Sequence, residues 1–183
     1  LVPYSEAAKK RGVKVYHLNI GQPDIASPNE ALDAVKNNTL KLVEYPHSAG
    51  ITSYREGLAK YYQSINIDVT PSEINITTGG SEALQIALAV TCNPDDEVIV
   101  MEPFYTNYNA LSLQNDVKLV PVSTSIETGF ALPDVSEFEK YITPRTKGII
   151  LCNPGNPTGS LYTKETIIKL GEIVKKHQLF LYS

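Results

Sequence analysis

The chain has 183 residues, of which 42% are hydrophobic and 20% charged, with a net charge of -4. That length and balance suit a globular domain with a sizeable core, and the slight acidity gives no reason to expect nucleic acid or an anionic membrane as a partner. No apolar run approaches the ~20 residues that a membrane-spanning helix needs. The two cysteines, Cys92 and Cys152, lie in apolar or strand-end settings that suggest buried free thiols, and so a reducing, cytoplasmic compartment.

In chain order, "LVPYSEAAKK" lacks the layout of a signal peptide. "YHLNIGQPDIASP" (16–28) has one short apolar run followed by turn residues, and "ALDAVKNNT" (31–39) reads as a short helix. Residues 1–40 are expected to form an arm or small-domain segment, and residues 41–183 the first part of a larger domain. "SYREGLAKYYQS" (53–64) is a firmer helix. Five short apolar or β-branched runs then read as strands: 73–78, 96–102, 117–123, 147–153 and 179–183. Amphipathic stretches at 81–92, 105–115, 133–142 and 163–177 separate them. Nearly continuous apolar strands, each followed by a helix, predict an α/β fold: a mainly parallel sheet covered on both faces in three layers. Ligands of such sheets bind beyond the carboxyl ends of the strands. Leu1 is not an initiator methionine and "HQLFLYS" stops as an apolar run begins, so the expectation is a segment of a longer protein with an incomplete sheet.

Three strand ends carry the chemistry. In "NITTGGSEALQIAL", Gly79 and Gly80 precede a helix whose N-terminal N–H groups could meet a phosphate. The plain alternative is a strand-to-helix turn with Ser81 as N-cap and Glu82 in the first turn. In "MEPFYTNYNAL", Pro103 stops a strand and Phe104, Tyr105 and Tyr108 cluster. One of them could stack on a flat heteroaromatic ligand, while Phe104 and Tyr108 read better as core or interface residues. In "LCNPGNPTGS", two Asn-Pro pairs hold Asn153 and Asn156 with little backbone freedom, more constraint than a turn alone needs. No metal-ligand cluster is visible.

"LNIGQPD", "YPHSAGITSYREGLAKYY", "TTGGSEAL", "EPFYTNY" and "NPGNPTG", in this order, resemble the class I and II aminotransferases of the fold type I pyridoxal-phosphate enzymes, in particular the bacterial branch usually labelled aspartate aminotransferase. The resemblance runs from about residue 3 to residue 183. It implies the large-domain sheet of that fold and pyridoxal 5'-phosphate as cofactor. It also implies an amino acid and a 2-oxo acid as substrates in amino-acid metabolism, and a homodimer with shared active sites. By the same resemblance Gly80, Ser81 and Glu82 form the phosphate cup and Tyr105 stacks on the pyridine ring. Asn156 binds the ring's 3-oxygen while Asn153 braces the loop. Gly21 lines the substrate carboxylate pocket, and Tyr45 reaches the cofactor phosphate of the other subunit. The family also needs a lysine that forms the imine with the cofactor, an Asp for the pyridinium nitrogen and an Arg for the substrate carboxylate. No motif for these occurs here: Lys164, Lys169, Lys175 and Lys176 sit on a solvated helix and Lys147 opens a strand. The segment alone is therefore expected to be inactive. Competing expectations are a C–S lyase or other carbanion chemistry on the same scaffold, and a noncatalytic binding or dimerisation module. A dinucleotide fold is disfavoured because no G-x-G-x-x-G follows a strand.

Overall fold

The computed structural model describes residues 2–183. It divides into two compact units, one running up to Tyr45 and the other Pro46–Ser183.

The first unit contains helices α1 (Val2–Lys10) and α2 (Asn29–Lys36), neither of which has a buried residue. The α1 helix was not anticipated, because "VPYSEAAKK" carries no clear apolar stripe. Its carbonyls are closed off by Arg11, Gly12 and Val13 N–H groups.

The second unit is built on four parallel strands, β1 (Glu97–Glu102), β2 (Lys118–Ser123), β3 (Thr146–Ile150) and β4 (Phe180–Tyr182), in the order β2-β1-β3-β4. Alternation along the strands divides the core in two. Ile99, Met101, Val122 and Ile149 point to one face, where Phe138, Leu170 and Ile173 cover them. The last three come from α6 (Val135–Phe138) and α7 (Lys164–Lys176). Val98, Val100 and Ile150 point to the other face, where Leu88 and Leu111 cover them from α4 (Gly80–Thr91) and α5 (Asn107–Leu113). The result is the expected three-layer α/β arrangement. The helix at 53–64 is present as α3 (Thr52–Ser64).

One expected strand is absent from the sheet. Residues 74–77 have no regular secondary structure and follow a 3-10 turn at Pro71–Glu73. Alternating apolar residues can specify an extended backbone, but a strand also needs a neighbour. Here Ile76 N–H bonds Ala49 O at 3.0 Å and the Arg55 guanidinium takes Ile74 O at 2.9 Å, so the segment is held by α3 and its approach rather than by a ladder. The strand expected over 147–153 ends at Ile150; Leu151 N–H still bonds Tyr182 O at 2.8 Å, and the chain then turns into the Asn-Pro loop.

Candidate functional site

The chain leaves β1 for β2 on one side and returns to β3 on the other, so a topological switch point lies between the carboxyl ends of β1 and β3. That is where open α/β sheets place their ligands. A cleft of about 760 Å³ opens at this edge. Its walls are the first turns of α4 (Gly80, Ser81, Ala83, Leu84, Ala87), the segment after β1 (Tyr105, Tyr108, Leu111), the end of β3 and its loop (Ile150 to Pro154), and the end of β4 (Leu181, Tyr182, Ser183).

The α4 helix enters the cleft uncapped. Its N-cap position is Gly79 at φ 87° and ψ 171°, without a side-chain cap. The expectation of Ser81 as N-cap is corrected: Ser81 is the second helical residue, and the turn before it needs a backbone that only glycine adopts readily. The N–H groups of Gly80, Ser81 and Glu82 thus form a set of donors without a partner among the described residues, at the positive end of a 12-residue helix. Gly80, Ser81 and Glu82 are all exposed, and a Cβ built on Gly80 would meet nothing within 4 Å. The Glu82 side chain turns away from the cleft, its carboxylate accepting the Thr78 N–H and pinning the incoming chain.

Tyr105 is half-exposed. Its hydroxyl accepts from Asn107 Nδ2 at 2.8 Å and its ring stands edge-on to Tyr108, with centroids 5.6 Å apart. Tyr108 in turn stacks on Phe104 and packs against the core beneath α4 and α5, as expected, but it also lines the cleft. Burial first, then the neighbouring Cys152 thiol and Tyr105, push the Tyr108 phenol up to about 12, so it stays protonated near neutrality. Tyr182 is also raised, mainly by burial, with the Cys92 thiol adding to the effect.

The loop after β3 is tightly cross-braced. Asn153 Oδ1 accepts Tyr162 N–H at 3.0 Å, the Gly155 and Ser160 backbones bond at 2.8 Å, and the Thr158 and Ser160 hydroxyls lie 2.8 Å apart. A Cβ on Gly155 would fall 2.7 Å from both hydroxyls, so any side chain there would have to turn them out of their mutual contact. Asn156 does not line the main cleft. It borders a narrower crevice that shares Tyr108, Ile150 and Cys152 with it, and its amide is exposed without a hydrogen bond among the described residues. Both cysteines are free but half-buried, rather than buried as expected. Gly21 and the exposed Tyr45 belong to the first unit.

The sequence reading missed Tyr182 and the α4 face at Ala83 and Ala87. Tyr182 could have been found from the rule that ligands gather at strand carboxyl ends, since it closes the last apolar run. Among the described residues no helix is long and apolar enough to cross a membrane, and no group of three or more His, Cys, Asp or Glu side chains is placed to hold a metal.

A helix N-terminus with free N–H donors at the switch point of a parallel sheet is the arrangement by which α/β folds take anionic ligands. The chain belongs to the class I and II aminotransferase family, whose pattern matches residues 13–183. It is 34% identical over 177 residues to the aspartate/prephenate aminotransferase of Thermus thermophilus, covering 96% of this chain and 46% of that protein. It is also 34% identical over 179 residues to the glutamate-pyruvate aminotransferase AlaA of Escherichia coli, covering 96% and 44%. The solved aspartate aminotransferase of Thermotoga maritima superimposes with a TM-score of 0.89 at 29% identity, over 98% of this chain and 48% of that one. The chain therefore spans less than half the length of these relatives.

Proposed function

We propose that the cleft binds pyridoxal 5'-phosphate and that the protein to which these residues belong transfers an amino group between an amino acid and a 2-oxo acid. The observation that carries this reading is the uncapped α4 N-terminus, three N–H donors opening into a cleft whose other wall includes the Tyr105 ring. Gly80, Ser81 and Glu82 would hold the phosphate through backbone N–H groups, with the Ser81 hydroxyl as a further donor. Tyr105 would limit tilt of the ring plane. Asn156, whose amide is uncommitted, is assigned to the ring's 3-oxygen, where a donor favours the anionic form. Asn153 is assigned to the loop alone, since its Oδ1 is used by Tyr162. Bound there, the cofactor supplies an electron sink for charge developing at the substrate Cα.

Residues 1–40 are assigned to an arm and part of a small domain, and 41–183 to the first part of the cofactor-binding domain. Gly21 would line the substrate carboxylate pocket, and the exposed Tyr45 would reach the phosphate bound by a second copy, making the protein a homodimer with shared sites. A cytoplasmic role in amino-acid biosynthesis agrees with two unpaired thiols. The names of its relatives make aspartate and glutamate the first amino donors to test.

No lysine lines the cleft among the described residues. We therefore assign the nucleophilic lysine to polypeptide outside this chain and expect the 183 residues alone to bind without turnover. The test compares 2-oxo-acid-dependent amino transfer with ammonia release, for the full-length protein and for the 183 residues. Transfer by the full-length protein alone supports the proposal. Ammonia release without transfer, or turnover by the 183 residues alone, refutes it.

A further inference from the structure

We infer that the Tyr182 hydroxyl is a positioning group for the anion-binding end of α4, acting through Thr91 at the far end of that helix. The inference rests on the proposed role of the Gly80–Glu82 turn as a phosphate site. Thr91 Oγ1 lies 2.6 Å from Tyr182 Oη and donates to Ala87 O, also at 2.6 Å. A threonine hydroxyl has one proton, so with Thr91 committed to Ala87 the tyrosine must be the donor in the second contact. The two bonds form a relay from β4 into the backbone of α4.

The tyrosine is a stiff peg. Its ring lies against the backbone of β3 at Gly148, where even a methyl group would sit 2.5 Å from Tyr182 Cε2, and it stacks on Phe180 with centroids 6.4 Å apart. The other contacts of α4 with the sheet are apolar, centred on the fully buried Leu88. Apolar contact is non-directional and leaves a helix some freedom to rotate or slide. Among the described residues, the side-chain hydrogen bonds joining the end of α4 to a strand all converge on the Tyr182 hydroxyl, from Thr91 at 2.6 Å and, more weakly, from the C-cap residue Cys92, whose Sγ lies 3.7 Å away. Because a helix moves as a rod of about 1.5 Å per residue, fixing its rotation at Thr91 fixes where the Gly80 to Glu82 N–H groups point. Tyr182 also lines the cleft, so one side chain shapes its floor and orients its donor wall.

The test uses the isotopically labelled 183-residue chain and its Tyr182→Phe, Thr91→Val and Thr91→Ser variants, read by amide resonances with and without inorganic phosphate. In Tyr182→Phe, the amides of Gly80, Ser81 and Glu82 are expected to shift without phosphate, while those of α7 do not. Phosphate affinity should weaken by roughly 3- to 10-fold, the range that one neutral hydrogen bond spans. Thr91→Val should reproduce both effects from the other end, Thr91→Ser should restore them, and the double variant should be no worse than either single one. Unchanged Gly80–Glu82 amides in folded Tyr182→Phe and Thr91→Val overturn the positioning role. Failure of the wild-type amides to respond to phosphate refutes the phosphate site instead, and the phosphate-free shifts then still decide the positioning role.

Discussion

Replacing Gly79 and Gly80 separately by alanine should move stability in opposite directions, although the two are neighbours in one turn. Gly79 has φ 87° and ψ 171°, a region occupied essentially by glycine alone. An alanine Cβ there would meet nothing within 4 Å, so no clash contributes and the cost lies in the backbone, about 1–3 kcal/mol. Gly80 is the first residue of α4 and its Cβ position is equally open. Alanine at Gly80 removes freedom from the unfolded chain and should stabilise by about 0.4–1 kcal/mol. In a domain of this size 1 kcal/mol corresponds to about 2–4 °C in Tm. Gly79→Ala, taken at about 2 kcal/mol, should therefore melt about 4–8 °C below wild type, and Gly80→Ala slightly above it. Thermal unfolding followed by circular dichroism checks both on matched samples. If Gly79→Ala melts at or above wild type, or Gly80→Ala loses as much as Gly79→Ala, the conformational account of this turn is wrong.

Gly148→Ala should destabilise by about 1–3 kcal/mol through overpacking, because the new methyl would lie 2.8 Å from Phe180 O, a backbone atom that cannot rotate away; urea titration measures it. Leu88→Ala, at a fully buried position under α4, should cost about 2–5 kcal/mol in the same assay. Tyr108, Tyr162 and Tyr182 all have raised phenol pKa values, Tyr108 to about 12. Their stability contribution is complete below the unfolded value of about 10 and is lost as pH rises towards the folded value, because the unfolded chain then releases protons that the folded one keeps. Unfolding monitored from neutral to strongly alkaline pH should show stability falling above about pH 10, with a smaller fall in Tyr108→Phe.

The parallel sheet was readable because Val98 to Met101 and Gly148 to Ile150 are apolar on both faces, a pattern that demands helices above and below. The Gly-Gly turn and the Asn-Pro loop were equally legible, since glycine and proline restrict the backbone locally. What failed depended on partners. The residues at 74–77 have strand composition, but Arg55 takes the Ile74 carbonyl and Ile76 N–H bonds Ala49 O, and a side chain reaching from an earlier helix leaves no periodic trace. Tyr182 reads as the end of an apolar run, and only the fold brings its hydroxyl to Thr91, 91 residues earlier. Asn156 was grouped with Gly80 and Tyr105 by resemblance, whereas the fold sets it in the adjoining crevice.

The central claim is that the α4 N-terminus takes the phosphate of a pyridoxal-type ring whose face meets Tyr105. Titrating the chain with pyridoxine 5'-phosphate, which lacks the reactive aldehyde, and with pyridoxine tests it most directly by amide and tyrosine resonances. The account predicts that the phosphorylated compound shifts the Gly80, Ser81 and Glu82 amides and the Tyr105 ring, and that pyridoxine binds far more weakly. Equal binding of the two compounds, or shifts confined to residues away from the cleft, would contradict it.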